Sequence, residues 1–275
     1  MDLIQRNIMD NKVPCPPIEV HVTHSCNLVC HGCNHYSNYK LEGWYISLKE
    51  LEQWIEPWAD RIEPSTFNLL GGEPTLHPQL CDLLLLAGKY FKKGAFDRMG
   101  RECPMCLITN GSFLHRHPKL KYILLEHRIR LFLSVHYNKD VEVIERVRSW
   151  AREGVAVTIY DYSLHKEWRK FYRGQGNSME PYTDNDPRRS WKNCTAKNYY
   201  QLFDGAIWKC ANIAYLSLAK RALKLSDKWN PYLAYEPLRI NASLEQIKEF
   251  FMRKEEAICK MCPSQPTIIE NIADE

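Results

Sequence analysis

Three cysteines crowd into one short loop, Cys26-Asn27-Leu28-Val29-Cys30-His31-Gly32-Cys33, and no other feature limits the fold as much. Thiols this close must converge, so a rigid element has to hold the loop. Residues 17–23 alternate apolar and polar side chains in the manner of a half-buried strand. The triplet therefore follows a first β-strand, where parallel sheets and barrels carry their chemistry. A closed zinc site wants four ligands. Three thiolates with no fourth nearby leave a metal position open.

The chain holds 11 cysteines in 275 residues, an odd number, and opens without the apolar segment of a secretory signal. The expectation is a cytoplasmic protein whose thiols serve metal or redox chemistry rather than disulfides. With 45% hydrophobic and 25% charged residues the composition is that of a globular chain, not a disordered one. A formal net charge of +4, evenly spread, gives no nucleic-acid footprint, so no nucleic-acid partner is expected. No stretch approaches the roughly 18 apolar residues of a membrane span.

A second set of cysteines lies downstream. Cys194 and Cys210 flank two apolar runs, residues 199–203 and 206–208, that meet at Asp204-Gly205. That pair is a hairpin signal, and a hairpin brings its flanking cysteines together. Cys259 and Cys262 follow a helix that begins with the capping box Ser243-Leu244-Glu245-Gln246 and carries Leu244, Ile247 and Phe251 at helical spacing. Four thiolates could hold either an iron–sulfur cluster or a structural zinc. Cys15, Cys81, Cys103 and Cys106 remain, and each can be a small buried hydrophobe.

Strand and helix patterns alternate through the first part, which argues for βα units on a parallel sheet. Strands are expected at 17–23, 66–70, 107–111, 131–135 and 155–160. Helices are expected from Ser47 to Pro57, after Pro78 to about Gly88, at 118–126, and at 141–153 with Ile144, Val147 and Ala151 on one face. The polar stretch 165–189 lacks a periodic apolar face and reads as a linker or active-site cover.

These motifs, in this order, resemble the radical SAM superfamily, whose mark is C-x3-C-x2-C after the first strand. Gly71-Gly72-Glu73-Pro74 after the second strand, and the segment 107–111 as a third strand and turn, resemble further family pieces. The family usually has an aromatic residue before the last cysteine, whereas this chain has Gly32, which leaves Tyr36 or His31 to pack the adenine. The run around Cys33-Asn34-His35-Tyr36-Ser37 is similar to a subgroup associated with polysaccharide pathways. The pattern Cys194-x10-Gly205-x4-Cys210 with Cys259-x2-Cys262 resembles the twitch module, a short relative of the SPASM domain. The whole looks like the aminoglycoside-pathway radical SAM dehydrogenases.

The resemblance implies an α/β fold: an open partial (β/α) barrel of about five parallel strands, because eight strands need ~200 residues or more. A small C-terminal iron–sulfur module with a β-hairpin and a helix would follow. Its implied organisation is an extension at 1–16, the barrel at 17–163, a linker or cover at 164–192 and the twitch module at 193–275. Cys26, Cys30 and Cys33 would hold a [4Fe–4S] cluster that binds S-adenosylmethionine. Cys194, Cys210, Cys259 and Cys262 would hold an auxiliary [4Fe–4S] cluster. Gly71, Gly72, Glu73, Tyr36, Asn110 and Ser134 would contact S-adenosylmethionine, and His136, Tyr137 and Asp161 the substrate.

The implied activity is that of an oxidoreductase: hydrogen-atom abstraction from a sugar, aminocyclitol or glycoside, with oxidation through the auxiliary cluster. A flavodoxin- or ferredoxin-type reductant would be the electron source. A spare cysteine facing the substrate would instead return a hydrogen atom and make an epimerase. A ribosomally made peptide is the other substrate class, and a non-catalytic iron–sulfur or zinc module is the reading outside catalysis.

Overall fold

The computed structural model describes residues 12–41, 43–94, 102–136, 141–162, 168–269 and 273–274. Its centre is a sheet of seven strands: β1 (Ile18–His21), β2 (Phe67–Leu70), β3 (Met105–Thr109), β4 (Arg130–Val135), β5 (Val157–Asp161), β6 (Tyr200–Phe203) and β7 (Ala206–Trp208). They lie in the order β7-β6-β1-β2-β3-β4-β5. All neighbours are parallel except the β6-β7 hairpin. The sheet thus has six parallel strands, one more than the sequence led us to expect. The addition is physical necessity of a simple kind, since β1 would otherwise be an open edge with unpaired backbone groups.

Helices α1 (Leu48–Ala59), α2 (Leu80–Tyr90), α3 (Leu120–Glu126) and α4 (Val141–Arg152) alternate with the first five strands. The Ser47 hydroxyl caps α1 by accepting the Glu50 backbone N–H at 3.1 Å. Pro57 does not end α1, which runs to Ala59 and buries Trp58. In α4 only Val147 is fully buried, and Ala151 is exposed instead of sharing its face. Alternate strand residues, Ile18, Val20, Phe67, Leu69, Leu107, Leu131 and Leu133, pack on Leu51, Ile55, Leu83, Leu84 and Leu124 from these helices. That leaves the residues between them for the other face of the sheet.

Asp204 and Gly205 both have positive φ, 52° and 68°, as a two-residue hairpin turn needs. The Trp58 indole donates to the Gly205 carbonyl at 2.9 Å and ties the turn to α1. A second core forms around Tyr36, Tyr172, Met179, Tyr215, Trp229 and Met261. Tyr172 and Met179 belong to the stretch read as a linker or cover, and both are fully buried. After α5 (Pro187–Asn193) and α6 (Leu216–Leu223), α7 (Leu244–Met252) carries the full capping box at Ser243 and Gln246. Near the chain end Ala273 pairs with Cys30 in a short antiparallel ladder. Among the described residues no helix is long and apolar enough to cross a membrane.

Candidate functional site

The inner face of the sheet is organised in rows, because parallel strands in register place every second residue side by side. One row near the strand starts is continuous across five strands: Gln201 pairs with Glu19, Glu19 with Asn68, Asn68 with Cys106, and Cys106 with Arg130. Ser134 pairs with Tyr160 four residues further along β4. Continuing the registers puts Gly72 and Asn110 in the same upper row, about 13 Å above the lower one at 3.3 Å per residue. Both rows line a cavity of about 740 Å³, together with Cys26, Cys30, Cys33, Gly71, Glu73, His35, His136 and Tyr162.

The three loop cysteines pack around Leu28. Burial pushes the Cys26 thiol up to about 12, and Cys30 and Cys33 rise for the same reason, with the sulfurs of Cys26 and Cys33 repelling that of Cys30. Opposing this, the backbone at His35, Tyr36, Ser37 and Asn38 acts to lower the Cys33 value. Such surroundings suit a bound thiolate, not a free thiol. The triplet therefore fits a cluster held by three cysteines.

Gly71 and Gly72 seat this loop by close approach. A Cβ on Gly72 would stand 2.2 Å from the Ser25 carbonyl oxygen, and one on Gly71 2.5 Å from that of Thr23. Their amides are part of the same seam, since the Gly72 N–H donates to the Thr23 carbonyl at 2.8 Å. Glu73 lines the cavity, yet its carboxylate is engaged by the chain itself. It accepts the Thr75 N–H at 2.9 Å, the Asn110 N–H at 2.8 Å and the hydroxyls of Thr75 and Thr109. Glu73 is a bracket between the ends of β2 and β3. Asn110 in turn donates to Asn27 at 2.9 Å and so fixes the cysteine loop to β3.

Tyr36 takes a different place from the one the sequence implied. It is fully buried in the second core, and its hydroxyl donates to the Asn212 carbonyl at 3.0 Å. It is absent from the cavity wall. His136 does line the cavity and stacks on Tyr162 at 5.3 Å between centroids, and burial lowers its pKa to about 4. Asp161 does not line it. Strand alternation is the reason: Tyr160 and Tyr162 take the inward positions, and Asp161 lies beside the core residue Val135. Tyr137 lies outside the described residues.

Cys194, Cys210 and the pair Cys259 and Cys262 come together from three separate segments. Burial raises each, and the sulfurs of Cys194, Cys210 and Cys259 all act on Cys262. The Asn212 side-chain amide donates to the Cys262 sulfur at 3.7 Å, and the backbone at Ile213 and Asn212 acts to lower the Cys210 value. These surroundings again suit thiolates in a metal site. Among the described residues no three His, Cys, Asp or Glu side chains close on a single point as ligands of one ion would. A cluster sets each ligand on its own iron. Tyr36 stands between the two groups, with the charges of Cys33, Cys210 and Cys262 all acting on its hydroxyl.

Two features escaped the sequence reading. The lower polar row is one, although Asn68 and Gln201, each a polar residue at an inward position of an apolar strand, and Glu19 in the alternating stretch 17–23 were its signal. The other is a chain of three histidines. His21 Nδ1 lies 3.1 Å from His24 Nδ1, and His21 Nε2 lies 3.1 Å from His35 Nδ1. Burial lowers all three pKa values, and the neighbouring rings lower those of His21 and His24 further. Of the four spare cysteines, Cys106 lines the cavity and Cys15, Cys81 and Cys103 do not.

No family model matches the chain. Several solved structures share parts of its fold. A structure titled anSMEcpe with bound AdoMet is 20% identical over 53% of this chain and 43% of that one, with a TM-score of 0.40. SuiB of Streptococcus suis bound to precursor peptide SuiA is 16% identical over 57% of this chain and 34% of its own, also at 0.40. BtrN in complex with AdoMet and 2-DOIA is 16% identical over 90% of this chain and 92% of its own, at 0.48. The chain thus matches less than half the length of the first two. Likeness at this level says nothing of this chain's activity.

Proposed function

We propose that this protein is a radical SAM enzyme that abstracts a hydrogen atom from a small polyhydroxylated substrate and oxidises it. The observation that carries this reading is a single cavity that joins the cysteine triplet to the row of Gly72, Asn110 and Ser134. A [4Fe–4S] cluster on Cys26, Cys30 and Cys33, with S-adenosylmethionine at its open iron, supplies the radical chemistry when bound. The chain's own residues do the rest. Gly71 and Gly72 hold the loop against β2, Asn110 locks it to β3, and Glu73 braces both. Ser134 on β4 and His136 just past its end line the chamber, and Tyr160 and Tyr162 wall its β5 side. The protein's task is orientation in a dry site, since position decides which hydrogen is taken.

The second thiol group fits an auxiliary cluster with four protein ligands, suited to accepting an electron rather than binding substrate. Anaerobic turnover tests the reading. Reconstituted, reduced protein should convert S-adenosylmethionine to 5′-deoxyadenosine, and Cys30→Ala should abolish this. Cys210→Ala should retain uncoupled cleavage and lose oxidised product. Absence of cleavage in the wild-type protein with all cysteines intact would sink the proposal.

Cys106 supports a second outcome, epimerisation. Its thiol sits in the chamber floor, and burial pushes its pKa up to about 12, so it keeps its S–H. A thiol on the side opposite the upper row can return a hydrogen atom to the far face of a substrate radical, and a one-electron reductant and a proton then restore it. Deuterium from solvent in an unoxidised product, lost in Cys106→Ala, would select this outcome over oxidation.

A further inference from the structure

The floor of the chamber is built around one carboxylate. Glu19 is 5% exposed, yet it lines the cavity. Among the described residues its hydrogen-bond partners are two amides and it makes no ion pair: Gln201 Nε2 donates to Oε2 at 2.6 Å and Asn68 Nδ2 to Oε1 at 3.5 Å. The direction of these bonds is set from behind. The Tyr215 hydroxyl donates to Gln201 Oε1 at 3.1 Å, which turns the Gln201 NH₂ toward Glu19. Tyr215 itself is held by stacking on His21 at 4.1 Å. The chain Tyr215, Gln201, Glu19 therefore ends in an acceptor.

A carboxylate has about four acceptor positions, and two amides leave the others facing the cavity. Buried charge without a cation is costly, so such a group calls for a cationic or strongly donating ligand. Arg130, the cation of the same row, stands three strands away across Asn68 and Cys106, on the far side of the floor. Asn68 is 4% exposed, also lines the cavity, and its Oδ1 has no hydrogen-bond partner. Two neighbouring acceptors on one side and a guanidinium on the other give the floor a polarity that a neutral polyol would not use.

We propose that the floor row is the substrate-recognition subsite and that Glu19 selects a small ring bearing a protonated amine. This rests on the reading of the cavity as the substrate chamber of a radical SAM enzyme. The amine binds the Glu19 carboxylate, with Asn68 Oδ1 as second acceptor, and ring oxygens turn toward Arg130. The face of the ring opposite the floor then points to the row of Gly72, Asn110 and Ser134.

Glucosamine and glucose, which differ by an amine in place of one hydroxyl, are suitable probes. Their retention by the reconstituted full chain is measured by ligand-observed NMR near neutral pH. Wild-type protein should hold glucosamine about tenfold more tightly than glucose, the scale of one charge-assisted contact. Glu19→Gln should bring the two sugars to parity, and Glu19→Asp should retain part of the preference. Equal retention of both sugars by the wild type, retention of neither, or a Glu19→Gln protein that keeps the preference overturns the inference. A wild type that cleaves S-adenosylmethionine but ignores the amine defeats this inference alone. A wild type that does not cleave it defeats the reading beneath.

Discussion

Glu19 and Glu73 are both buried carboxylates on the cavity wall, and their surroundings separate them. Glu73 accepts bonds from four groups of its own chain, so it works as a structural joint. Glu73→Gln replaces acceptor capacity with an NH₂ facing two N–H donors, and should cost about 2 kcal/mol in denaturant unfolding. Glu19 has fewer donors, and burial raises its pKa from 4.5 to about 7. The groups whose charge acts with it, Tyr199, Cys106 and Tyr215, stay neutral through that range. A raised folded-state value means that the stability contributed is complete below about 4.5 and lost as pH rises through about 7. Glu19→Gln should therefore gain on the wild type over that window, by up to about 3 kcal/mol. Parallel pH dependences of the two melting curves would contradict this. The residues that sequence reading found here carry motif spacing; those it missed carry only a polar letter, Asn68 and Gln201 in apolar strands and Glu19 in an alternating one.

At the scale of elements, the strands and helices of the first part were legible because turn residues and apolar period agree there. The capping boxes at Ser47 and Ser243 and the Asp204-Gly205 turn mark local geometry that no tertiary contact overrides. The partner of β6 was not legible, because pairing across a sheet leaves no local trace. Tyr36 shows the same limit: position three after Cys33 suggested a ligand contact, and packing drew the ring into the second core instead. The glycine seam depends on shape alone. Gly72→Ala should lower the melting temperature by several degrees, since main-chain atoms of Ser25 and Cys26 must move. Lys209 and Glu256 form a pair at 3.3 Å with the lysine 3% exposed, beside the second thiol group. Lys209→Met leaves a partly buried carboxylate without its cation and should cost about 3 kcal/mol in urea unfolding.

Over the whole molecule, hydrogen bonds link the two thiol groups to each other and to the chamber. The Tyr36 hydroxyl reaches Asn212, whose side chain reaches Cys262, while the Tyr172 hydroxyl donates to the Cys33 carbonyl at 3.3 Å. Removing residues 193–275 would uncover the edge of β1 as well as delete four thiols. Such a truncated chain should aggregate, as followed by light scattering during refolding. The pairing of β1 with β6 also fixes an order of events. Glu19 and Gln201 are 182 positions apart, so β1 has to wait for nearly three quarters of the chain before its second neighbour exists. Contacts this distant in sequence form late and slowly. During synthesis the cysteine loop is therefore made long before the chamber floor beneath it is closed, and a strand made late, β6, completes the place where substrate would rest.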